Sequence, residues 1–171
     1  GVSWLRQYFG EKTNRPIIHP VVPSSINAYV YGAPIRGKAC IIIPGVGCQN
    51  SCRFCCTSHK FDKRYTAFLS TGKEVYDACR KCEEKLGADD FGMMDENFCK
   101  DPLRARQLLI EMERNEKAYN FSIFSSAETI VALGADFLVR MGVNFIWIGV
   151  ESKANLFEKT QGIDLHNLIA D

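Results

Sequence analysis

Lys38 to Cys56 reads KACIIIPGVGCQNSCRFCC, and the fold turns on this stretch. Cys40, Ile41, Ile42 and Ile43 follow one another without a polar break, so Lys38 to Pro44 predicts a strand of the buried type, apolar on both faces. Gly45 and Gly47 let the backbone turn sharply out of that strand. The loop beyond crowds four cysteines into the nine residues from Cys48 to Cys56.

Downstream of this loop the sequence becomes rhythmic. Thr71 and Glu74 have capping-box spacing for a helix from about Gly72 to Leu86, and Gly87 ends it. Asp90 to Met94 predicts a second strand. Asp101-Pro102 opens a helix to about Ala118, with Asp as the cap and Pro in the first turn. Asn120 to Phe124 predicts a third strand, and Ser125 with Glu128 a second capping box for a helix to Met141, stopped by Gly142. Asn144 to Val150 is the fourth strand, and Leu165 to Asp171 begins another helix.

Strand, loop and helix in repetition predict an α/β fold of βαβ units around a parallel sheet. Such sheets put their working loops at the carboxyl ends of the strands. The polar oddities fall there: the cysteine loop, Asp95-Glu96-Asn97, Ser125-Ser126 and Glu151-Ser152. Residues 1–36, with Pro16, Pro20, Pro23 and Pro34, read as a linker or an arm on the surface, and 37–171 as the folded domain.

Composition narrows the partners. The chain has 171 residues, 46% hydrophobic and 24% charged, as expected of one globular core. With 21 basic and 20 acidic residues there is no basic stripe for nucleic acid. The apolar runs are strand-sized, too short for a bilayer, so no membrane partner is expected. Eight cysteines suit a secreted disulfide framework by number. Their crowding suits a metal centre better, in a reduced, cytoplasmic setting.

Cys48, Cys52 and Cys55 have the spacing C-x3-C-x2-C, and thiolates are soft ligands for iron–sulfur clusters and zinc. A structural zinc site asks for four protein ligands. Three thiolates leave one iron of a cubane open to a small molecule. Cys56 is adjacent to Cys55, and neighbours rarely reach two corners of one cluster, so it reads as a bystander. Two other readings stay open: a structural zinc module, and a cluster-carrying electron-transfer protein, although the latter ordinarily supplies four cysteines per cluster.

GCQNSCRFCCTSH resembles the cluster loop of the radical S-adenosylmethionine (SAM) superfamily, whose motif is C-x3-C-x-aromatic-C. The resemblance implies a partial (βα) TIM-like barrel with a 4Fe-4S cluster on Cys48, Cys52 and Cys55, and Phe54 beside the adenine of SAM. GMMDENFC is similar to the "DENF" segment of members that carry a cobalamin domain, and makes Asp95 and Glu96 the candidate partners of the SAM amino group. Ser125 and Glu151, the latter within IGVES, are implied to contact the cofactor's ribose, carboxylate or amino group. KANLFEKTQGID and the opening GVSWLRQYFGE resemble the same subgroup. A cobalamin, if used, is bound outside this segment, because no D-x-H-x-x-G motif occurs in it.

The family's activity is reductive cleavage of SAM to a 5′-deoxyadenosyl radical. An electron donor such as flavodoxin or ferredoxin and a small-molecule substrate are implied, with methyl transfer to an unactivated carbon where cobalamin takes part. The family has six βα units and this sequence about four, so the chain is expected to be an excerpt or to complete its sheet with a partner. Cys79 and Cys82 share a helix face and read as ordinary helix residues, Cys99 as a buried thiol, His59 as a loop or supporting group, and His19 and His166 as surface residues.

Overall fold

The computed structural model describes residues 2–13, 18–24, 29–30, 33–34, 38–50 and 52–149. Helix α1 (Val2–Tyr8) and strand β1 (Val22–Ser24) come first, then a hairpin of β2 (Tyr29–Val30) and β3 (Ala33–Pro34), and then β4 (Lys38–Ile42). β5 (Gly45–Gly47) and β6 (Tyr65–Ala67) bracket the cysteine loop, which carries α2 (Cys56–Lys60). The remainder alternates: α3 (Gly72–Leu86), β7 (Ala88–Met93), a 3-10 turn (Phe98–Lys100), α4 (Pro102–Arg114), β8 (Asn120–Ser125), α5 (Ala127–Leu133), α6 (Ala135–Arg140) and β9 (Val143–Ile148). Glu151, Ser152, the 153–164 stretch and the expected helix from Leu165, with His166, lie outside the described residues.

The fold is α/β with a mostly parallel central sheet in the order β1-β4-β7-β8-β9. β4, β7, β8 and β9 are parallel neighbours in chain order, and only β1 is antiparallel. Right-handed crossovers that always step the same way bring every connecting helix to the same face. The burial pattern agrees. Cys40, Phe91 and Phe121 lie side by side across the strands and are fully buried. On the opposite face Phe124 lies beside Trp147, and these are 37% and 56% exposed.

The predicted α3 forms as its caps dictate. The Glu74 N–H donates to Thr71 Oγ1 at 3.2 Å, the Thr71 N–H donates to Glu74 Oε2 at 2.9 Å, and Gly87 closes the helix at φ 66°. Its stripe of Val75, Cys79 and Cys82 enters the core beside Cys40 of β4. Burial pushes the Cys79 thiol up and the Cys82 thiol up to about 12, so both pack as neutral, apolar groups. α4 stops at Arg114, short of Ala118, and Glu116 follows in a left-handed turn at φ 53°.

Three expectations need correcting. The proline-rich opening contributes β1 to the sheet: Pro23 pairs with Cys40 at the edge, a position where a missing N–H costs no ladder bond. His19 is buried rather than on the surface, where its Nε2 accepts from the Ile43 N–H at 2.8 Å and its carbonyl accepts from Lys81 Nζ at 2.8 Å. The helix from Ser125 to Met141 is two helices, broken at Gly134 (φ 81°), and neither Ser125 nor Glu128 forms the capping box. Ser125 turns to Asn97 instead.

Thr71→Ala is expected to cost about 1 kcal/mol of stability in chemical denaturation, the ordinary worth of a hydroxyl cap. Burial holds the His19 imidazole below its ordinary 6.5, so the unfolded chain takes up that proton first. This contribution to stability is complete above about pH 6.5 and fades below it, toward the lower folded-state value. His19→Gln, which keeps an acceptor but does not titrate, is expected to flatten the fall in denaturation midpoint between about pH 7 and about pH 5.

Candidate metal centre

The cysteine loop leaves the sheet through Gly47 and returns at Tyr65, and these two residues face each other in the β5–β6 ladder. Gly47 sits at φ 90°, and a Cβ there would run into the Arg64 carbonyl, so only glycine fits. The Cys55 N–H donates to the Cys52 carbonyl at 3.2 Å, and Cys55 then heads α2. His59 closes the turn, with Nε2 2.8 Å from the Arg53 carbonyl. Asp62 and Lys63, at φ 52° and 56°, bend the chain back, with the Lys63 N–H on the Ser58 carbonyl at 2.7 Å.

Cys48, Cys52 and Cys55 are each partly exposed, whereas Cys56 is exposed on α2. Cys48 Sγ accepts from the Asn50 N–H at 3.5 Å. Burial raises the Cys48 thiol, and the negative charge of Cys52, Cys55 and Glu96 adds to the rise. Cys55 is lowered, chiefly by the Ser58 amide in the first turn of α2. Among the described residues no group of three or more His, Cys, Asp and Glu side chains is arranged to hold a metal ion as it stands. A cluster takes one thiolate per iron at separate corners, so its ligands need not converge on a point. Three soft donors on one loop, with Cys52 and Cys55 close enough to Cys48 to add to the cost of charging it, match that demand.

The rim around the loop is built by the following strand ends. Thr57 Oγ1 donates to Glu96 Oε1 at 3.3 Å, and Asn50 Nδ2 to Glu128 Oε1 at 3.5 Å. Lys100 Nζ meets the same Glu128 oxygen at 3.4 Å. Glu128 therefore ties the start of α5 to the cysteine loop, in place of the helix-capping part its spacing suggested.

Asp95 is almost wholly buried and fully engaged. Its Oδ2 accepts from Arg104 Nη2 at 2.9 Å and from the Tyr65 hydroxyl at 2.5 Å, and its Oδ1 accepts from the Asn97 N–H at 3.0 Å. Glu96 beside it is exposed. Asn97 is a second hub: Oδ1 accepts from Ser125 Oγ at 3.0 Å and Nδ2 donates to Ser126 Oγ at 2.9 Å. Thr129 Oγ1 lies 3.0 Å from Ser126 Oγ. Ser125 lies on the helix-covered side, since its β8 neighbours Phe121 and Ile123, four and two residues back, are core. Phe54 stands 47% exposed on the loop.

Two cavities of about 220 Å³ each flank the wall formed by Gly47 and Asp95. One is bounded by the polar groups of Cys48, Tyr65, Asn97 and Lys100. The other is mostly apolar, bounded by Phe61, Met94 and Phe124 with Glu96 at its edge. Of the residues singled out in the sequence, Cys48, Asp95 and Glu96 border these cavities; Ser125 does not, and Glu151 lies outside the described residues.

Sequence reasoning missed Arg104, Tyr65 and Glu128. Arg104 had a signal: it occupies the core stripe of α4 with Leu108 and Met112, where a cation needs a buried partner. Tyr65 and Glu128 had none. Comparison with known protein families, curated proteins and solved structures finds no match for the chain.

Arg104→Met, which strands a carboxylate at 1% side-chain exposure, is expected to cost about 3–5 kcal/mol in denaturant unfolding. Combining it with Asp95→Leu is expected to cost clearly less than the sum of the single changes.

Proposed function

We propose that this chain is the core of a radical SAM enzyme, with Cys48, Cys52 and Cys55 as the three protein ligands of a 4Fe-4S cluster. The observation that carries the reading is three partly exposed thiols on one hairpin-closed loop, at the carboxyl end of the first parallel strand. When bound there, the cluster supplies the electron that splits SAM into methionine and a 5′-deoxyadenosyl radical, which takes hydrogen from the substrate.

The chain's own groups orient the reactants and keep out water. Phe54 offers its ring to the adenine. Glu96, exposed where Asp95 is engaged, is the carboxylate available to accept from the cofactor's amino group. The apolar cavity of Phe61, Met94 and Phe124 excludes water from the reacting centre. Ser125 and Glu151 are carried as ribose, carboxylate or amino contacts on the resemblance alone, and the bonded state of Ser125 weighs against a direct part for it.

A partial TIM-like barrel is the architecture this reading requires. Supporting it are parallel strands in unbroken chain order and, on the face away from the connecting helices, the partly exposed Phe124 and Trp147. Cobalamin-dependent methyl transfer to an unactivated carbon, with an electron donor such as flavodoxin or ferredoxin in the cytoplasm, extends the proposal on the resemblance to the cobalamin-linked subgroup.

Anaerobic reconstitution with iron and sulfide is expected to give a brown protein that releases 5′-deoxyadenosine from SAM under reductant. Cys48→Ala, Cys52→Ala and Cys55→Ala are each expected to abolish the cluster absorbance, and Cys56→Ala to keep it. Colourless protein with bound zinc would replace the proposal with a structural module. Brown protein that leaves SAM intact would replace it with an electron carrier.

A further inference from the structure

We propose that Arg104 is a positioning residue for the cysteine loop: through Tyr65 and Asp95 it fixes the base of that loop against the end of β7. The inference rests on reading the loop as the cluster site, because position matters only if the loop has ligands to present.

One guanidinium gathers four acceptors from two separate segments. Nη1 donates to Tyr65 Oη at 2.6 Å and to the Leu69 carbonyl at 3.5 Å, both on the chain returning from the loop. Nη2 donates to Asp95 Oδ2 at 2.9 Å and to the Phe98 carbonyl at 3.2 Å. Tyr65 completes the triangle by donating to that same Asp95 oxygen. Phe98 lies beneath the guanidinium, 4.7 Å from Cζ to ring centroid.

Tyr65 is the direct ladder partner of Gly47, the residue before Cys48. Wherever the Tyr65 ring is held, the first thiol's backbone is held too. The hairpin is only three residues on each side, and its glycines contribute no side chain to pack. Two such short strands are marginal alone, so an outside anchor has to fix them. Arg104 itself is 2% exposed and so acts on the loop at second hand. A lysine ammonium has no planar fork and cannot span the same acceptors.

The test uses the metal-free full chain and reads alkylation by N-ethylmaleimide at each cysteine by mass spectrometry. In the wild type, partly buried Cys48 is expected to react more slowly than exposed Cys56. Tyr65→Phe, which removes both hydrogen bonds of the hydroxyl, and Arg104→Lys are each expected to narrow that gap by at least about fivefold, the change that about 1 kcal/mol makes in a local opening. Core Cys79 and Cys82 are expected to stay protected in both variants. A wild-type ratio of Cys48 to Cys56 in Tyr65→Phe would overturn the inference, as would a parallel rise at Cys79 and Cys82, which signals general loosening. If Arg104→Lys does not fold, Tyr65→Phe alone decides, because it keeps the Arg104–Asp95 pair. Failure of the wild type to take up a cluster would sink the proposed function while leaving this readout intact.

Discussion

The buried pair of Arg104 and Asp95 is the constraint on which the candidate site depends. Withdrawing two opposite charges from water is costly, and further hydrogen bonds to both carboxylate oxygens and both terminal guanidinium nitrogens offset that cost. Those partners are what give it reach: Tyr65 from the cysteine loop's return strand, Phe98 from the turn after β7, and the Asn97 N–H. A hydrophobic trio of similar volume would pack as well, but it would not dictate direction.

The sheet itself limits where chemistry can occur. Parallel strands in chain order send all their carboxyl ends to one rim, and their crossovers keep the helices to one side. On the side away from those helices Phe124 stacks against Trp147 at 5.9 Å between ring centroids. Beside it the cavity of Phe61 and Met94 opens at the same level as the cysteine loop. Loop, carboxylates and apolar floor share one edge because of how the chain winds.

Apart from the exposed Cys56, the cysteines divide by environment. Cys40, Cys79, Cys82 and Cys99 are buried, and desolvation raises Cys79, Cys82 and Cys99, which keeps them protonated and inert. Cys48, Cys52 and Cys55 stand at intermediate exposure on a loop whose amides lower Cys55. The division between packing thiols and ligand candidates thus follows from solvent contact, and it agrees with their division along the chain.

Local signals carried much of the fold. The α3 caps at Thr71, Glu74 and Gly87 are short-range chemistry, and the residues on either side of them suffice to place that helix. The apolar runs at β4, β7, β8 and β9 likewise needed no context, and the triple-cysteine spacing marked the loop. Long-range bonds decided the rest. Pro23 reads as a breaker until the β4 edge offers it a pairing that needs no N–H at that point. Ser125 and Glu128 fit a helix cap equally well as letters; only the proximity of Asn97 and Asn50 draws them away. Nothing near Arg104 in sequence reveals that its partners include a tyrosine 39 residues earlier, since folding alone brings α4 beneath the cysteine loop.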